Sequence, residues 1–171
     1  MAKGGGGIKN KNKFVKNKLA RNILSALAVA FFGFILLIVT FLFDAVFQGI
    51  IRRLIMPFIL PESLEGPNFF LPGLFHGSFV VLILLISIPI FRSKLRVLYK
   101  AIYMTVPLAV VLATIGIFFY QWFVIPYLLG ALICLGLLYY FYRTKKPWLY
   151  YYTVILVSLI LGIFTLTGGE I

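Results

Sequence analysis

Residues 22–43, NILSALAVAFFGFILLIVTFLF, form an unbroken run with no charged side chain. A bilayer core of about 30 Å takes about 20 apolar residues in an α-helix, so this one stretch is long enough to cross a membrane. Four more runs of spanning length follow, at 74–91, 101–120, 124–142 and 148–167. An unpaired backbone cannot survive in hydrocarbon, and the residue-by-residue alternation of a membrane barrel is absent, so all five read as helices. The expected fold is all-α: a polytopic integral membrane bundle of five transmembrane helices.

The whole composition agrees. Hydrophobic residues make up 63% of the 171-residue chain, aromatic residues 18% and charged residues 12%, and the mean hydropathy is +1.08. Soluble domains are nearer about 45–50% apolar. Residues 22–169 form a single membrane domain, preceded by a basic tail at 1–21. The opening reads as a retained first span. Its basic region is long, the apolar run outlasts the core of a secretory signal, and no small-residue cleavage site follows it.

Charge sets the expected orientation. Basic residues concentrate on cytoplasmic loops. Seven precede the first span, and four (Arg92, Lys94, Arg96, Lys100) separate spans two and three. Three more (Arg143, Lys145, Lys146) separate spans four and five. Five spans bring these three stretches to one side, which then holds 14 of the 16 basic residues and no acid. Arg52, Arg53 and the four acids, Asp44, Glu62, Glu65 and Glu170, fall on the other side. The amino terminus is therefore expected inside and the carboxyl terminus outside. Frequent Ile, Phe and Tyr fit an AT-rich genome, and with it a bacterial plasma membrane.

The tail at 1–21 carries seven positive charges, Gly4–Gly7 and no acid. Such a segment cannot build a core and is expected to be disordered alone. Its lysines suit anionic lipid at the membrane surface. A lone aromatic, Phe14, argues against single-stranded nucleic acid, which is held by stacking. The glycine run has neither the preceding strand nor the Gly-Lys-Ser/Thr ending of a phosphate loop.

Between the first two spans lies an outer loop at 44–73. Its first part, 45–60, reads as an interfacial or protruding helix that continues the first span, or else as a short re-entrant segment. The turn-rich PESLEGPNFFLPG at 61–73 ends it. Asp44, Gln48 and Arg52 are spaced four apart and share one helical stripe, with Arg53 beside it and His76 at the mouth of span two. One reading is an outer-leaflet pocket that grips an anionic group, since the planar guanidinium of Arg matches phosphate or carboxylate. The other is an interfacial helix whose arginines meet lipid phosphates while Asp44 neutralises one of them.

No ionisable residue falls in the middle of a span, which argues against ion-coupled pumping. Cys134, the single cysteine, is about ten residues along span four and far from His76, so the two are not expected to form a nucleophile–base pair. No Cys/His spacing suggests a metal, and no cofactor motif is present. Small residues recur at helical spacing: Ala26, Ala30 and Gly33 in span one, Ala109, Ala113 and Gly116 in span three, and Gly130 with Cys134 in span four. Rows of this kind let helices approach closely. They serve either the internal packing of this domain or the docking of a partner subunit or a second copy.

Three classes of function follow. The first is a non-catalytic subunit or accessory component of a membrane complex that works by helix packing. The second is a small transporter, permease component or lipid-handling protein with an outer anion pocket. The third is a lipid-modifying membrane enzyme.

Overall fold

The computed structural model describes residues 6–59, 70–119, 121, 122 and 124–166. They form five helices, and no strand occurs among them. These are α1 (Gly6–Ile59), α2 (Phe70–Arg92), α3 (Val97–Phe118), α4 (Ile125–Arg143) and α5 (Trp148–Leu166). Four helical segments are long and apolar enough to cross a membrane: Asn17–Leu54, Val97–Phe118, Ile125–Arg143 and Trp148–Thr165. Helix α2 adds the shorter apolar stretch His76–Arg92. The chain is a helical membrane protein.

Helix α1 is one continuous element of 54 residues, about 81 Å long at about 1.5 Å per residue. It begins within the basic tail, at Gly6, and runs through Asp44 to Ile59 without a break. Residues 45–59 are thus the last turns of the first spanning helix. The acidic part of the loop, with Glu62 and Glu65, lies outside the described residues, as do the first five residues of the tail.

Helix α3 is the hub. Every other helix packs on it, and every residue from Met104 to Val110 is buried. A helix buried all round belongs in the centre of an assembly. The outer helices show the complementary pattern. Buried residues of α1 fall on one stripe, Val29, Gly33, Thr40 and Asp44, and those of α2 on another, His76, Phe79, Ile83 and Ser87. The spacings of three, four or seven residues keep each set on a single face. The remaining face of α1 presents Leu, Ile and Phe outward and that of α2 Val, Leu and Ile, as a lipid-facing surface requires.

Lipid is as apolar as a leucine side chain, so these helices associate by close packing and by hydrogen bonds, with little hydrophobic gain. Two contacts show this. A Cβ placed on Gly33 would lie 2.8 Å from Thr105 Cγ2, so only glycine lets α1 sit this close to α3. On the other side of α3, Thr153 Oγ1 of α5 donates to Leu149 O at 2.9 Å and lies 3.3 Å from Ala101 O. Ala101 itself is fully buried. Helix α4 is the least embedded, with Phe141 as its one buried residue.

Candidate functional site

The stripes of α1 and α2 each carry an ionisable residue into the bundle. Asp44 is 7% exposed and His76 6%. His76 Nδ1 lies 3.0 Å from Asp44 Oδ2, and His76 Nε2 lies 3.0 Å from Thr114 Oγ1 on α3. Gln48 Nε2 donates to the same Asp44 oxygen at 3.0 Å. The other oxygen, Oδ1, is buried with no hydrogen-bond partner among the described residues. Thr114 stands four residues before the end of α3, about 6 Å along the axis. The network therefore sits about one turn inside the bundle, at the end opposite the two basic connections.

The network has two proton arrangements. With Asp44 ionised, Nδ1 carries a hydrogen and donates it. If Thr114 keeps its hydrogen on Val110 O, its lone pair accepts from Nε2–H and the ring is an imidazolium. If the Thr114 hydroxyl turns to Nε2 instead, the ring is neutral. The orientation of the Thr114 hydroxyl and the hydrogens on the His76 ring are therefore set together.

Of the residues proposed as an outer anion pocket, the fold brings together Asp44, Gln48 and His76 and leaves Arg52 and Arg53 exposed. The Asp44–Gln48–Arg52 stripe runs out of the bundle as it ascends: Asp44 is buried, Gln48 half-buried and Arg52 exposed. Asp44 bonds to His76, and neither arginine forms an ion pair among the described residues. Thr114 is the member of the network that sequence reasoning passed over. A threonine inside a helix commonly bonds its own i−4 carbonyl, so nothing in the sequence sets Thr114 apart.

Cys134 and His76 stand on separate sides of the molecule's chemistry. Cys134 Sγ is 3.0 Å from Ser158 Oγ on α5, and Ser158 donates to Val154 O at 2.7 Å. No group of three or more His, Cys, Asp or Glu side chains that could hold a metal occurs among the described residues.

The small-residue rows have distinct surroundings. In α1, Gly33 meets Thr105, while Ala26 and Ala30 are half-buried. Gly130 of α4 approaches Leu112 of α3, where an added Cβ would sit in ordinary contact at 3.5 Å. Gly116 is half-buried. Ala109 and Ala113 are buried, yet they also form the floor of a lateral groove of about 400 Å³ between α1 and α5. Its walls are Phe34 and Phe41 on one side and Ile160 and Phe164 on the other, and its lining is entirely apolar. No protein-family model matches the chain, and no curated protein or solved structure matches it either.

Proposed function

We propose that this protein crosses a plasma membrane five times, with its amino terminus in the cytoplasm and its carboxyl terminus outside. Within that membrane it serves as a non-catalytic subunit or accessory component of a complex. The basic connections α2–α3 and α4–α5 support this orientation, and α2 supplies the fifth span. The composition supports a bacterial membrane.

The α1–α5 groove carries the subunit reading. Its floor is a pair of alanines one turn apart on the central helix, and its walls are bulky aromatic and aliphatic side chains. A small floor lets a neighbouring helix bring its backbone close, which is how helices gain contact in lipid. The occupant is one transmembrane helix of a partner subunit. The test is a photocrosslinking residue at Ile160, which lines the groove, and another at Leu135 on the exposed face of α4, combined with native mass spectrometry from the protein's own membrane. A stoichiometric second protein, crosslinked from 160 and not from 135, is expected. Lipid adducts alone at both positions would overturn the reading, as would a crosslinked band at twice the protein's own mass.

The Asp44–His76–Thr114 network supports a second reading, a small permease component. Ionisable side chains inside a membrane bundle mark proton and ion paths, and this one spans three helices. Proton flux into liposomes, lost on His76→Ala, is the result this reading expects. Liposomes that stay tight with the unaltered protein would remove it.

A further inference from the structure

A second lateral cleft differs from the α1–α5 groove in one respect: it is charged at one end. Helices α2 and α4 both pack on α3, but not on each other. The gap between them is a cleft of about 630 Å³, within the range of about 300–1,000 Å³ typical of small-molecule sites. Ile88, Leu108 and Leu137 give its walls and floor an apolar character, and Arg92, Lys100 and Lys146 converge at its end.

The three cations are placed by the backbone. Arg92 is the last residue of α2, and Lys100 is in the first turn of α3. Lys100 Nζ donates to Phe91 O at 2.7 Å, which holds the ammonium at the carbonyl end of α2. Lys146 is set by the turn that ends α4. There Lys146 N donates to Phe141 O at 3.0 Å and Lys145 N to Tyr142 O at 3.2 Å, with Lys145 at φ 49°. This is the Schellman arrangement, which usually takes glycine at the left-handed position. A lysine there is strained, and Pro147 follows directly after Lys146. No carboxylate pairs with any of the three cations among the described residues.

From Lys100 to Val111 the cleft follows α3 for eleven residues, about 16 Å of helix. That is close to the depth of one leaflet, half of a core of about 30 Å. Positive charge without a counter-ion at the headgroup level, over an apolar trough one leaflet deep, matches an anionic amphiphile. We infer that the α2–α3–α4 cleft binds an anionic phospholipid, with its headgroup phosphate against Arg92, Lys100 and Lys146 and an acyl chain lying between α2 and α4. The orientation proposed above decides only which leaflet supplies it. The subunit reading plays no part in this inference.

The test is native mass spectrometry of the full chain in mild detergent, titrated with phosphatidylglycerol or with phosphatidylcholine of the same acyl chains. Preferential retention of one phosphatidylglycerol is expected. Each basic residue near anionic lipid contributes about 1 kcal/mol, about fivefold in affinity. Replacing Arg92, Lys100 and Lys146 together with Gln should therefore reduce the preference about a hundredfold. A control with the same net charge replaces Lys94, Arg96 and Arg143, which do not line the cleft, and should keep the preference. Equal loss in both triple variants would mean diffuse surface attraction and overturn the site. Ile88→Trp fills the trough and leaves every charge in place, and it should release the lipid. Unchanged retention in that variant, or displacement of the lipid by glycerol 1-phosphate, would reduce the cleft to a headgroup patch and overturn the proposal. Monodispersity and thermal unfolding of each variant separate lost binding from lost fold.

Discussion

His76 and Asp44 are 32 residues apart and meet at 3.0 Å inside the bundle, where α2 crosses α1. A histidine at the foot of one packed stripe thus bonds an aspartate at the head of another. Thr114 extends the contact to the central helix, so one network joins three of the five helices.

Removing the histidine leaves the Asp44 carboxylate buried, with one oxygen already unpartnered. His76→Ala is expected to destabilise the bundle by about 3 kcal/mol, the scale for breaking a buried pair from one side. His76→Ala combined with Asp44→Ala should regain most of that loss, because the stranded charge is gone. A double-mutant cycle of unfolding in mixed micelles measures the coupling, and additive single effects would refute it.

At Thr114 the expected effect is smaller and specific to the hydroxyl. Thr114→Val keeps the shape and removes the partner of Nε2, for a loss of about 1 kcal/mol. Thr114→Ser should be nearly neutral. Equal losses for both would assign the residue to packing instead.

Gly33 and Gly49 lie on the same helix and should respond in opposite ways. Gly33→Ala drives a methyl to within 2.8 Å of Thr105 Cγ2, and overpacking of this kind costs about 1–3 kcal/mol. Thr105→Ser removes that methyl and should rescue most of the cost. Nothing lies within 4 Å of a Cβ added at Gly49, so Gly49→Ala should be neutral or stabilising by up to about 1 kcal/mol through helix propensity. Thermal unfolding of the two variants side by side decides the matter.

Topology is open to direct labelling. In a Cys134→Ala background, Arg52→Cys and Lys94→Cys place single thiols at opposite ends of the bundle, both at exposed positions. A membrane-impermeant maleimide on intact cells should label the first and not the second. The reverse pattern would invert the proposed orientation.

Cys134 tests depth. Its thiol is half-buried between α4 and α5 beside Ser158. It should react with lipid-soluble N-ethylmaleimide far faster than with a charged methanethiosulfonate. Comparable rates would require a water path to the middle of α4.

The last three helices were legible to within a few residues, whereas the first, expected at 22–43, runs over Gly6–Ile59. The expected runs at 101–120, 124–142 and 148–167 correspond to Val97–Phe118, Ile125–Arg143 and Trp148–Leu166. The interior was less legible, because lipid-facing and core positions use the same residue types. Leu108 is buried and Leu132 is 63% exposed, yet both sit in equally apolar surroundings in the sequence. The polar and small residues were the usable signals. Gly33, Asp44 and His76 all mark interior contacts, but their partners, Thr105 and Thr114, are ordinary threonines within spans.

Asp44 shows where the two kinds of information part. Read along the chain, it ends an apolar run and belongs to an outer loop with Arg52. In three dimensions α1 continues its packed stripe for another turn, and Asp44 faces His76 instead. The sequence alone determined the solvent, the helical class and the approximate place of the apolar helices, because hydrocarbon demands an apolar, internally bonded segment whatever its neighbours are. Only the tertiary structure decided that α3 is the hub, that a buried acid–base pair links α1 to α2, and that three cations close one end of an apolar cleft. Those outcomes depend on which faces meet, and in lipid close packing and hydrogen bonds settle that choice, to which hydrophobicity is blind.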